Sequence, residues 1–290
     1  MQTAKEILQK AQNEGWALGA FNAANIETLK AIVQAASKLR SPAIIESSSG
    51  ETKYFGDKNL VDVVKNYREE YNIPIFINLD HAENLENVDS ALDAGYELVH
   101  YDGSRLPYEE NVKNTKSVVE KAHNKNLLVE GELNTIAGSS ADHTKEDISV
   151  ALKGSKMTDP DEAALFVSET GVDTFAAFFG NVHGVYKGEE KLDFDLLAKI
   201  RAKVSCFLSM HGGSGISQDY VKRAIEVGKI VKINVNTELR MAFRESLEQA
   251  LKESSEIAAY KLMDPVISAV QEVVEEKIRL FGSQGKAEFQ

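Results

Sequence analysis

Short apolar runs alternate with longer amphipathic segments along the whole chain. The short runs are rich in β-branched and aromatic residues, which is typical of strands. The longer segments place apolar residues at intervals of three and four, which is typical of helices. Eight strand-like runs occur, at residues 17–22, 41–50, 73–81, 97–104, 127–133, 174–184, 206–215 and 230–237.

These runs are apolar on both faces, so we expect strands that are covered on both sides. Eight strand–helix units without a linker-like break predict one α/β domain over residues 1–290. The predicted fold is a closed (β/α)8 TIM barrel with extra helices after the eighth strand. An open doubly wound sheet is the alternative, but it usually has a glycine-rich turn after its first strand, where this chain reads FNAAN.

Residues 134–158 interrupt the alternation with the sequence NTIAGSSADHTKEDISVALKGSKMT. The segment is too long and too polar for an ordinary connection between a strand and a helix. We expect a mobile lid or a surface excursion, because long loops in compact enzymes often have a functional role.

Charge and composition narrow the classes of partner. The chain has 290 residues with 45 acidic and 33 basic side chains, a formal net charge of −12 and no basic run interleaved with aromatic residues, so nucleic acid is not an expected partner. No segment approaches the length of a membrane span and the first helical segment lacks the apolar centre of a signal peptide, so we expect a cytoplasmic protein without a membrane partner. Cys206 is the single cysteine and cannot form an intramolecular disulfide, which suits a reducing compartment.

Titratable and metal-capable side chains collect at the carboxyl ends of the predicted strands. In a barrel these ends meet at one face, where active sites are built. Three of the six histidines are among them, whereas His100, His123 and His143 fall inside a strand pattern, in a helix and in the long loop. The side chains at the strand ends are Glu46, Asp80, His81, Asp102, Glu132, His183, His211, Asn234 and Asn236.

Three of these side chains suggest a metal site. Three neutral imidazoles with an open fourth position are a common arrangement for catalytic zinc. We therefore predict that His81, His183 and His211 hold a metal ion that acts as a Lewis acid on a carbonyl group or binds an enolate-like oxygen. A lone histidine at a strand end is more often a hydrogen-bonded structural residue, so the prediction depends on the three occurring together.

The acidic residues around the predicted metal have separate expected roles. Asp80 directly precedes His81 and is placed for proton transfer beside a metal-bound substrate. Neighbours on an extended strand point to opposite faces, so we expect the turn at the strand end to bring both to the mouth. Asp102 and Glu132 are either partners of the metal ligands or ligands of a second metal position.

Glycines lie beside two of the histidines, in GNVHGVYKG and in MHGGSG. Glycine permits close backbone approach, and its amide group can bind an anion, with Lys187 as a compensating charge. Barrels often bind phosphate with the loops after strands seven and eight, here GGSG at 212–215 and NVNT at 234–237. A phosphorylated substrate fits this spacing; the alternative is that the glycines only form turns.

With these residues placed, the chain resembles the class II, zinc-dependent ketose-bisphosphate aldolases, the family of fructose-1,6-bisphosphate and tagatose-1,6-bisphosphate aldolases. The resemblance covers nearly the whole chain, in AFNAANIETLKAIVQAA, LDHAEN, YDGS, VEGEL, GNVHGVYKG, MHGGSG, KINVNTELR and VVEEKIRLFGS. It implies reversible aldol cleavage of a ketose 1,6-bisphosphate, with fructose 1,6-bisphosphate as the first substrate, to dihydroxyacetone phosphate and glyceraldehyde 3-phosphate. Tagatose 1,6-bisphosphate or another ketose phosphate is the alternative substrate.

The resemblance also implies roles for single residues. His81, His183 and His211 are zinc ligands, and Asp80 is the acid/base that handles the proton of the C4 hydroxyl group. The family implies one catalytic Zn²⁺, allows a second metal site and a monovalent cation near the phosphate, and implies a homodimer or homotetramer.

Dihydroxyacetone phosphate would be held on zinc through its carbonyl and hydroxyl groups. By the resemblance, Glu132 is the glutamate near the metal and Asp102 an additional acidic residue of the site. The residues expected to bind the substrate or its phosphate are Asn22, Ser48, Gly184, Lys187, Gly212, Gly213, Ser214, Asn234, Asn236 and Thr237.

Two positions depart from the family pattern. Ser140 stands where many members have the glutamate that exchanges a proton on dihydroxyacetone phosphate, so another acid of the same segment substitutes or the activity differs. Tyr260, followed by Lys261, stands where an arginine often binds the distal phosphate. The candidates for the missing glutamate are Asp142, Glu146 and Asp147.

The first departure keeps open a barrel that binds a sugar phosphate with little catalysis. A metal-dependent hydrolase on the same barrel is a further alternative. Such hydrolases typically carry a His-x-His pair after the first strand, which FNAAN does not provide.

Overall fold

The helices and strands follow one another in the alternating order expected from the sequence. The computed structural model describes residues 2–188 and 191–288, so residues 1, 189, 190, 289 and 290 of the predicted 1–290 domain lie outside the described residues. In chain order the elements are α1 (Ala4–Glu14), β1 (Leu18–Asn22), α2 (Ile26–Lys38), β2 (Ala43–Ser48), α3 (Ser49–Phe55), α4 (Asp57–Tyr71), β3 (Ile75–Ala82), α5 (Leu85–Ala94), β4 (Leu98–Asp102), α6 (Tyr108–His123), β5 (Leu128–Glu132), β6 (Gly138–Asp147), α7 (Ile148–Leu152), α8 (Pro160–Thr170), β7 (Thr174–Ala176), β8 (His183–Lys187), α9 (Phe194–Lys203), β9 (Phe207–Met210), α10 (Gln218–Gly228), β10 (Ile230–Val235), α11 (Thr237–Glu253) and α12 (Ala259–Phe281).

Eight of the strands close into a barrel in the order β1-β10-β9-β7-β5-β4-β3-β2, and neighbouring strands run parallel. Each predicted strand-like run overlaps one of these strands, and α11 and α12 follow the eighth. The prediction of a closed (β/α)8 barrel with extra C-terminal helices is therefore confirmed. Within the described residues, none of the helices combines the length and the apolarity that crossing a membrane requires.

Helix α1 covers the amino-terminal end of the barrel. Its buried residues, Ala4, Ile7, Leu8 and Ala11, have the spacing of one helix face. They pack with side chains at the starts of the barrel strands, such as Phe76, in one apolar cluster. Because this end is filled by apolar side chains, the polar groups of the barrel are at the opposite end.

The predicted sixth strand, 174–184, is wrong in its extent. Only Thr174–Ala176 lies in the barrel as β7; the chain then leaves the barrel and forms β8 outside it. Strand β8 pairs with β6 in a separate two-stranded sheet. Residues 177–182 of the run are in no strand, and only its last two residues, His183 and Gly184, belong to β8.

The segment 134–158 is a surface excursion with secondary structure of its own, β6 and α7, rather than an irregular loop. Ile136 and Ile148 of the segment pack with Phe178 and Val182 in a small apolar cluster. The strand could not be recognised from the sequence because most of its side chains are exposed, so it has no apolar alternation.

Candidate metal centre and active site

Asp80 and His81 both reach the mouth of the barrel although they are neighbours on β3. Alternation along a strand would send their side chains to opposite faces. His81 has a φ of +47°, in the left-handed region, and the register of β3 against β4 shifts between Leu79 and Ala82. This local irregularity brings His81 Nε2 to 3.9 Å from Asp80 Oδ1.

The structure brings the three predicted zinc ligands together. His81 Nε2 lies 3.2 Å from His183 Nε2. The ring centre of His211 lies 4.6 Å from that of His81 and 5.7 Å from that of His183. These residues come from β3, the start of β8 and the position after β9, so the site depends on closure of the barrel.

The side chains present fit a zinc ion. Two imidazole nitrogens on one tetrahedral zinc ion are about 3.3 Å apart, close to the 3.2 Å between the Nε2 atoms of His81 and His183. His211 Nε2 lies 2.7 Å from Glu130 Oε1, so when Nε2 carries the proton the metal-binding lone pair is that of Nδ1, which lies 3.2 Å from Asn234 Nδ2. Among the described residues, the candidate metal-binding sets include Asp80, His81, His100 and His211.

The pKa values of two of the three predicted ligands, His183 and His211, are lowered, which favours the neutral imidazole that binds a metal. Burial, together with His81, lowers the pKa of His183 to about 4. Burial also lowers the pKa of His211 well below its usual value. Both imidazoles are therefore neutral at pH 7. Burial acts to lower the pKa of His81 as well, but the carboxylates of Asp80 and Asp102 contribute to a net increase.

A second group of possible ligands lies on the other side of His81. Asp102 Oδ2 is 2.9 Å and Glu132 Oε2 3.6 Å from His81 Nδ1, and this second set also has metal-binding geometry. Glu132 Oε2 also lies 3.4 Å from His100 Nε2, and both side chains are buried. This group of carboxylates and imidazoles fits a bound cation as well as it fits a role in orienting His81.

His100 belongs to the site, although the sequence analysis placed it inside a strand and away from the other histidines. It is fully buried on β4, with its ring centre 4.5 Å from that of His81 and 4.9 Å from that of His211. Its Nδ1 lies 4.0 Å from Asp80 Oδ1. The overlooked signal is its position two residues before Asp102, since alternate residues of a strand share a face.

The same spacing of two residues identifies a buried polar layer below the mouth. Five residues at the strand ends follow another polar side chain by two positions, so both side chains share a face of the strand. Asn22 does not, because Ala20 stands two positions before it. The pairs are Asn78 with Asp80, His100 with Asp102, Glu130 with Glu132, Ser209 with His211, and Lys232 with Asn234.

Lys232 connects this layer to the site. Its Nζ lies 2.8 Å from Glu130 Oε2, 2.8 Å from Glu46 Oε1 and 2.8 Å from Asn234 Oδ1. Glu130 in turn accepts a hydrogen bond from Ser209 Oγ at 2.7 Å. Burial acts to lower the pKa of Lys232, but Glu130 and Glu46 raise it, so the lysine stays charged.

Asp80 is a buried carboxylate held by two amide groups. Its Oδ2 accepts from Asn22 Nδ2 at 3.0 Å, and its Oδ1 accepts from Asn234 Nδ2 at 3.2 Å. Burial acts to raise its pKa, but His81 and the other nearby positive and hydrogen-bonding groups hold the pKa well below its usual range. The side chain is therefore an oriented proton acceptor at neutral pH.

A cavity of about 270 Å³ lies above these groups. At Gly212, which has a φ of +71°, the backbone lies close to the backbone of Val182. A Cβ there would collide with the carbonyl group of Val182. Most of the predicted substrate-binding residues line this cavity. The lining consists of Asn22, Asp80, Ser140, His183, Gly184, His211, Gly212, Ser214, Asn234, Asn236 and Thr237.

Three predicted substrate-binding residues do not line this cavity. Lys187 is exposed on β8. Gly213 is buried, and its N–H donates to the carbonyl group of Asn234 at 2.8 Å. The N–H and hydroxyl groups of Ser48 both donate to Glu51.

Ser140 lines the cavity, but the three acids proposed to replace the lid glutamate do not. Asp142 and Asp147 each accept a hydrogen bond from a backbone amide two residues further on, at 3.0 and 2.9 Å. Glu146 lies 3.3 Å from the ring nitrogen Nδ1 of His143. All three carboxylates are therefore engaged within the excursion itself.

The residues expected at the distal phosphate also lie outside the lining. Tyr260 is exposed at the start of α12. Lys261 Nζ forms an ion pair with Glu256 Oε2 at 3.0 Å.

Comparison with known proteins gives matches over nearly the whole chain. The family model for class-II fructose-bisphosphate aldolase matches residues 2–286. The YdjI aldolase of Escherichia coli K12 is 34% identical over 98% of each chain, with a TM-score of 0.83. A putative fructose-1,6-biphosphate aldolase of Coccidioides immitis is 28% identical over 99% of this chain and 98% of its own, with a TM-score of 0.85.

The fructose-bisphosphate aldolase of Campylobacter jejuni is 23% identical over 98% of this chain and 96% of its own, with a TM-score of 0.83, and supports the fold alone. The family match covers almost the whole chain and the site residues lie within it. The protein is thus a member of the class II fructose-bisphosphate aldolase family and a carbon–carbon lyase of that class.

Proposed function

We propose that the protein catalyses zinc-dependent, reversible aldol cleavage of a phosphorylated ketose to dihydroxyacetone phosphate and an aldehyde. Fructose 1,6-bisphosphate is the reference substrate, with tagatose 1,6-bisphosphate as an alternative. The observation that carries the proposal is the convergence of His81, His183 and His211 with the Asp80 carboxylate at one cavity.

The three histidines would hold zinc, which supplies Lewis-acid polarisation of the substrate carbonyl group. Asp80 accepts the proton of the C4 hydroxyl group while the bond between C3 and C4 breaks and C4 becomes the carbonyl carbon of the aldehyde. The electron pair of that bond stays with C3, which takes up a proton from solvent to give dihydroxyacetone phosphate. Asn22 and Asn234 keep the two oxygens of Asp80 in place for this transfer. In the reverse reaction Asp80 returns the proton to the new hydroxyl group.

The phosphate of dihydroxyacetone phosphate fits the side of the cavity formed by the glycines and the start of α11. Gly184, Gly212 and Ser214 lie there beside Asn236 and Thr237. Helix α11 has 17 residues and begins at Thr237, and the positive end of its dipole favours an anion at this position. The N–H group of Glu238 donates to Ser214 Oγ at 3.3 Å, which holds that hydroxyl group beside the start of the helix. In this proposal the ketose lies with C1 toward α11 and C4 toward Asp80.

A coupled assay of dihydroxyacetone phosphate release, run with and without a chelator, tests the proposal. We expect excess chelator to abolish cleavage and zinc or cobalt to restore it. Borohydride added with substrate should not inactivate the enzyme, because no Schiff base forms. Cleavage that persists in excess chelator would show that the proposed metal dependence is wrong.

The engagement of Asp142, Glu146 and Asp147 within the excursion favours one competing function, a barrel that binds a sugar phosphate with little catalysis. A proton-exchange assay on dihydroxyacetone phosphate separates the two. Tight binding without exchange or cleavage would support the binding function. The monovalent cation, the cytoplasmic location and assembly as a homodimer or homotetramer remain predictions.

A further inference from the structure

A second cavity of about 430 Å³ adjoins the first and shares Asn22 and Asn236 with it. Under the proposed function, C4 of the ketose lies at Asp80, and Asn22 donates directly to Asp80. Carbons beyond C4 therefore extend past Asn22 into the second cavity. Its lining consists of Asn22, Ala24, Asn25, Thr28, Glu51, Asn236, Leu239, Arg240 and Phe243.

The hydrogen-bond donors beside the second cavity already bind the carboxylate of Glu51. Glu51 Oε2 accepts from Asn22 Nδ2, from the N–H group of Ser48 and from the hydroxyl group of Ser48, each at 2.9 Å. Glu51 Oε1 lies 2.6 Å from a guanidinium nitrogen of Arg240. The side chain of Glu51 is 7% exposed, so water screens these contacts little.

Arg240 does not offer a free positive charge to a substrate. Its other terminal nitrogen donates to the carbonyl group of Ser140 at 2.9 Å. Among the described residues that line the second cavity, Arg240 is the only cation, and it is paired with Glu51. A phosphate dianion entering this cavity would meet the carboxylate of Glu51. The guanidinium group of Arg240 is already paired with that carboxylate and would not be free to bind the phosphate.

Glu51 does more than stabilise the start of a helix. It is the third residue of α3 and forms a capping box with Ser48. A capping box requires only these local contacts, yet Glu51 also binds Asn22 and Arg240, which are 29 and 189 positions away in the chain. Glu6 forms the same box with Thr3 at the start of α1, at the opposite end of the barrel, and serves as a reference.

We propose that Glu51 acts as a built-in anion at the distal end of the substrate cavity and selects ketose 1-phosphates with an uncharged, hydroxylated end over ketose 1,6-bisphosphates. The inference rests on the proposed function and names its substrate class. A sugar hydroxyl group can donate a hydrogen bond to the carboxylate, whereas a phosphate dianion has no proton to donate and is repelled.

The test compares kcat/KM for fructose 1-phosphate and fructose 1,6-bisphosphate, measured as dihydroxyacetone phosphate release by the zinc-loaded enzyme at low ionic strength. We expect the wild-type enzyme to prefer fructose 1-phosphate by about tenfold or more, because Glu51 neutralises Arg240 and presents a carboxylate, not a free cation, to the distal end. Glu51→Gln should move this ratio toward the bisphosphate by about tenfold or more, since it removes the charge and frees Arg240.

Two further variants separate charge from helix capping. Glu6→Gln makes the same change in the other capping box and should leave the ratio unchanged. Glu51→Asp keeps the charge and should keep the preference for fructose 1-phosphate. An equal or greater kcat/KM for the bisphosphate in the wild-type enzyme would overturn the inference, as would a Glu51→Gln variant that folds, retains zinc and shows an unchanged ratio.

Binding measurements test the role of Glu51 separately from the proposed aldolase activity. If neither of these sugars nor tagatose 1,6-bisphosphate yields chelator-sensitive dihydroxyacetone phosphate, the proposed function is wrong. The affinities of the zinc-loaded wild-type protein for the two sugars, measured by calorimetry, still test the role of Glu51. Tighter binding of fructose 1-phosphate supports that role, and tighter or equal binding of the bisphosphate contradicts it.

Discussion

His81 is the residue whose backbone allows the site to form. Its φ of +47° lies in a region that costs a non-glycine residue roughly 1–2 kcal/mol. The surrounding structure maintains this conformation, and as a result a proton acceptor and a candidate metal ligand occupy adjacent positions of one strand. Asp80 and His81 therefore have separable functions although they are neighbours.

Replacing single residues should separate proton transfer from metal binding. Asp80→Asn should retain zinc but lower kcat by roughly 10²–10⁴-fold, because it removes the proton acceptor. His211→Ala should lose both zinc and activity. His123→Ala is the matched control, because His123 is exposed and pairs with Asp173 away from the site. Equal zinc content and equal rates in the first two variants would contradict the assigned roles.

The raised pKa of His81 predicts how zinc binding depends on pH. In the metal-free protein His81 is protonated below its raised pKa, so zinc must displace a proton there. His183, with a pKa of about 4, is already neutral above pH 5 and adds no such dependence. Apparent affinity, measured by chelator competition, should therefore fall from pH 8 to pH 6. An affinity that stays constant over this range would argue against His81 as a ligand.

At the scale of elements, the pairing of β6 with β8 positions one wall of the cavity. His183 and Gly184 belong to β8, and Ser140 belongs to β6. Gly184 has a φ of +107°, and a Cβ there would lie 2.6 Å from the carbonyl oxygen of Ser139. The two-stranded sheet therefore couples the surface excursion to a candidate metal ligand.

Gly184→Ala should disturb this pairing while the barrel stays folded. We expect kcat/KM to fall by roughly 10–100-fold through misplacement of His183 and the cavity wall. Gly154→Ala is the matched control: Gly154 also has a positive φ of +79°, but a Cβ there would have no neighbour within 4 Å. Similar losses of activity in both variants would mean that backbone strain, rather than the collision, is responsible.

For the whole molecule, a bound metal would connect β3, β8 and the end of β9, which are far apart in sequence. A ligand that binds only the folded state stabilises it by about 4 kcal/mol at a thousandfold excess over Kd. Zinc should therefore raise the Tm of chelator-treated protein by several degrees. His211→Ala should lose this increase, and an equal increase in that variant would indicate that zinc stabilises the fold elsewhere.

Particular residues show which parts of the site could be predicted. Asp80, His81, His183 and His211 were found because each stands where an apolar run ends, a property of neighbouring residues. His100 and Lys232 were missed because they lie inside strands, although a spacing of two residues relates them to the mouth. Strand β6 was missed because its exposed side chains show no apolar alternation.

The eight strand–helix units, the barrel they predict and the polar residues at its mouth can be read from the order of residues, because periodicity and strand ends are local properties. Which distant residues meet depends on how the chain folds. Folding places Glu130 and Lys232 beneath the histidines, pairs β6 with β8, and joins Glu51 to Arg240. Those contacts arise when the barrel closes, and no local pattern specifies them.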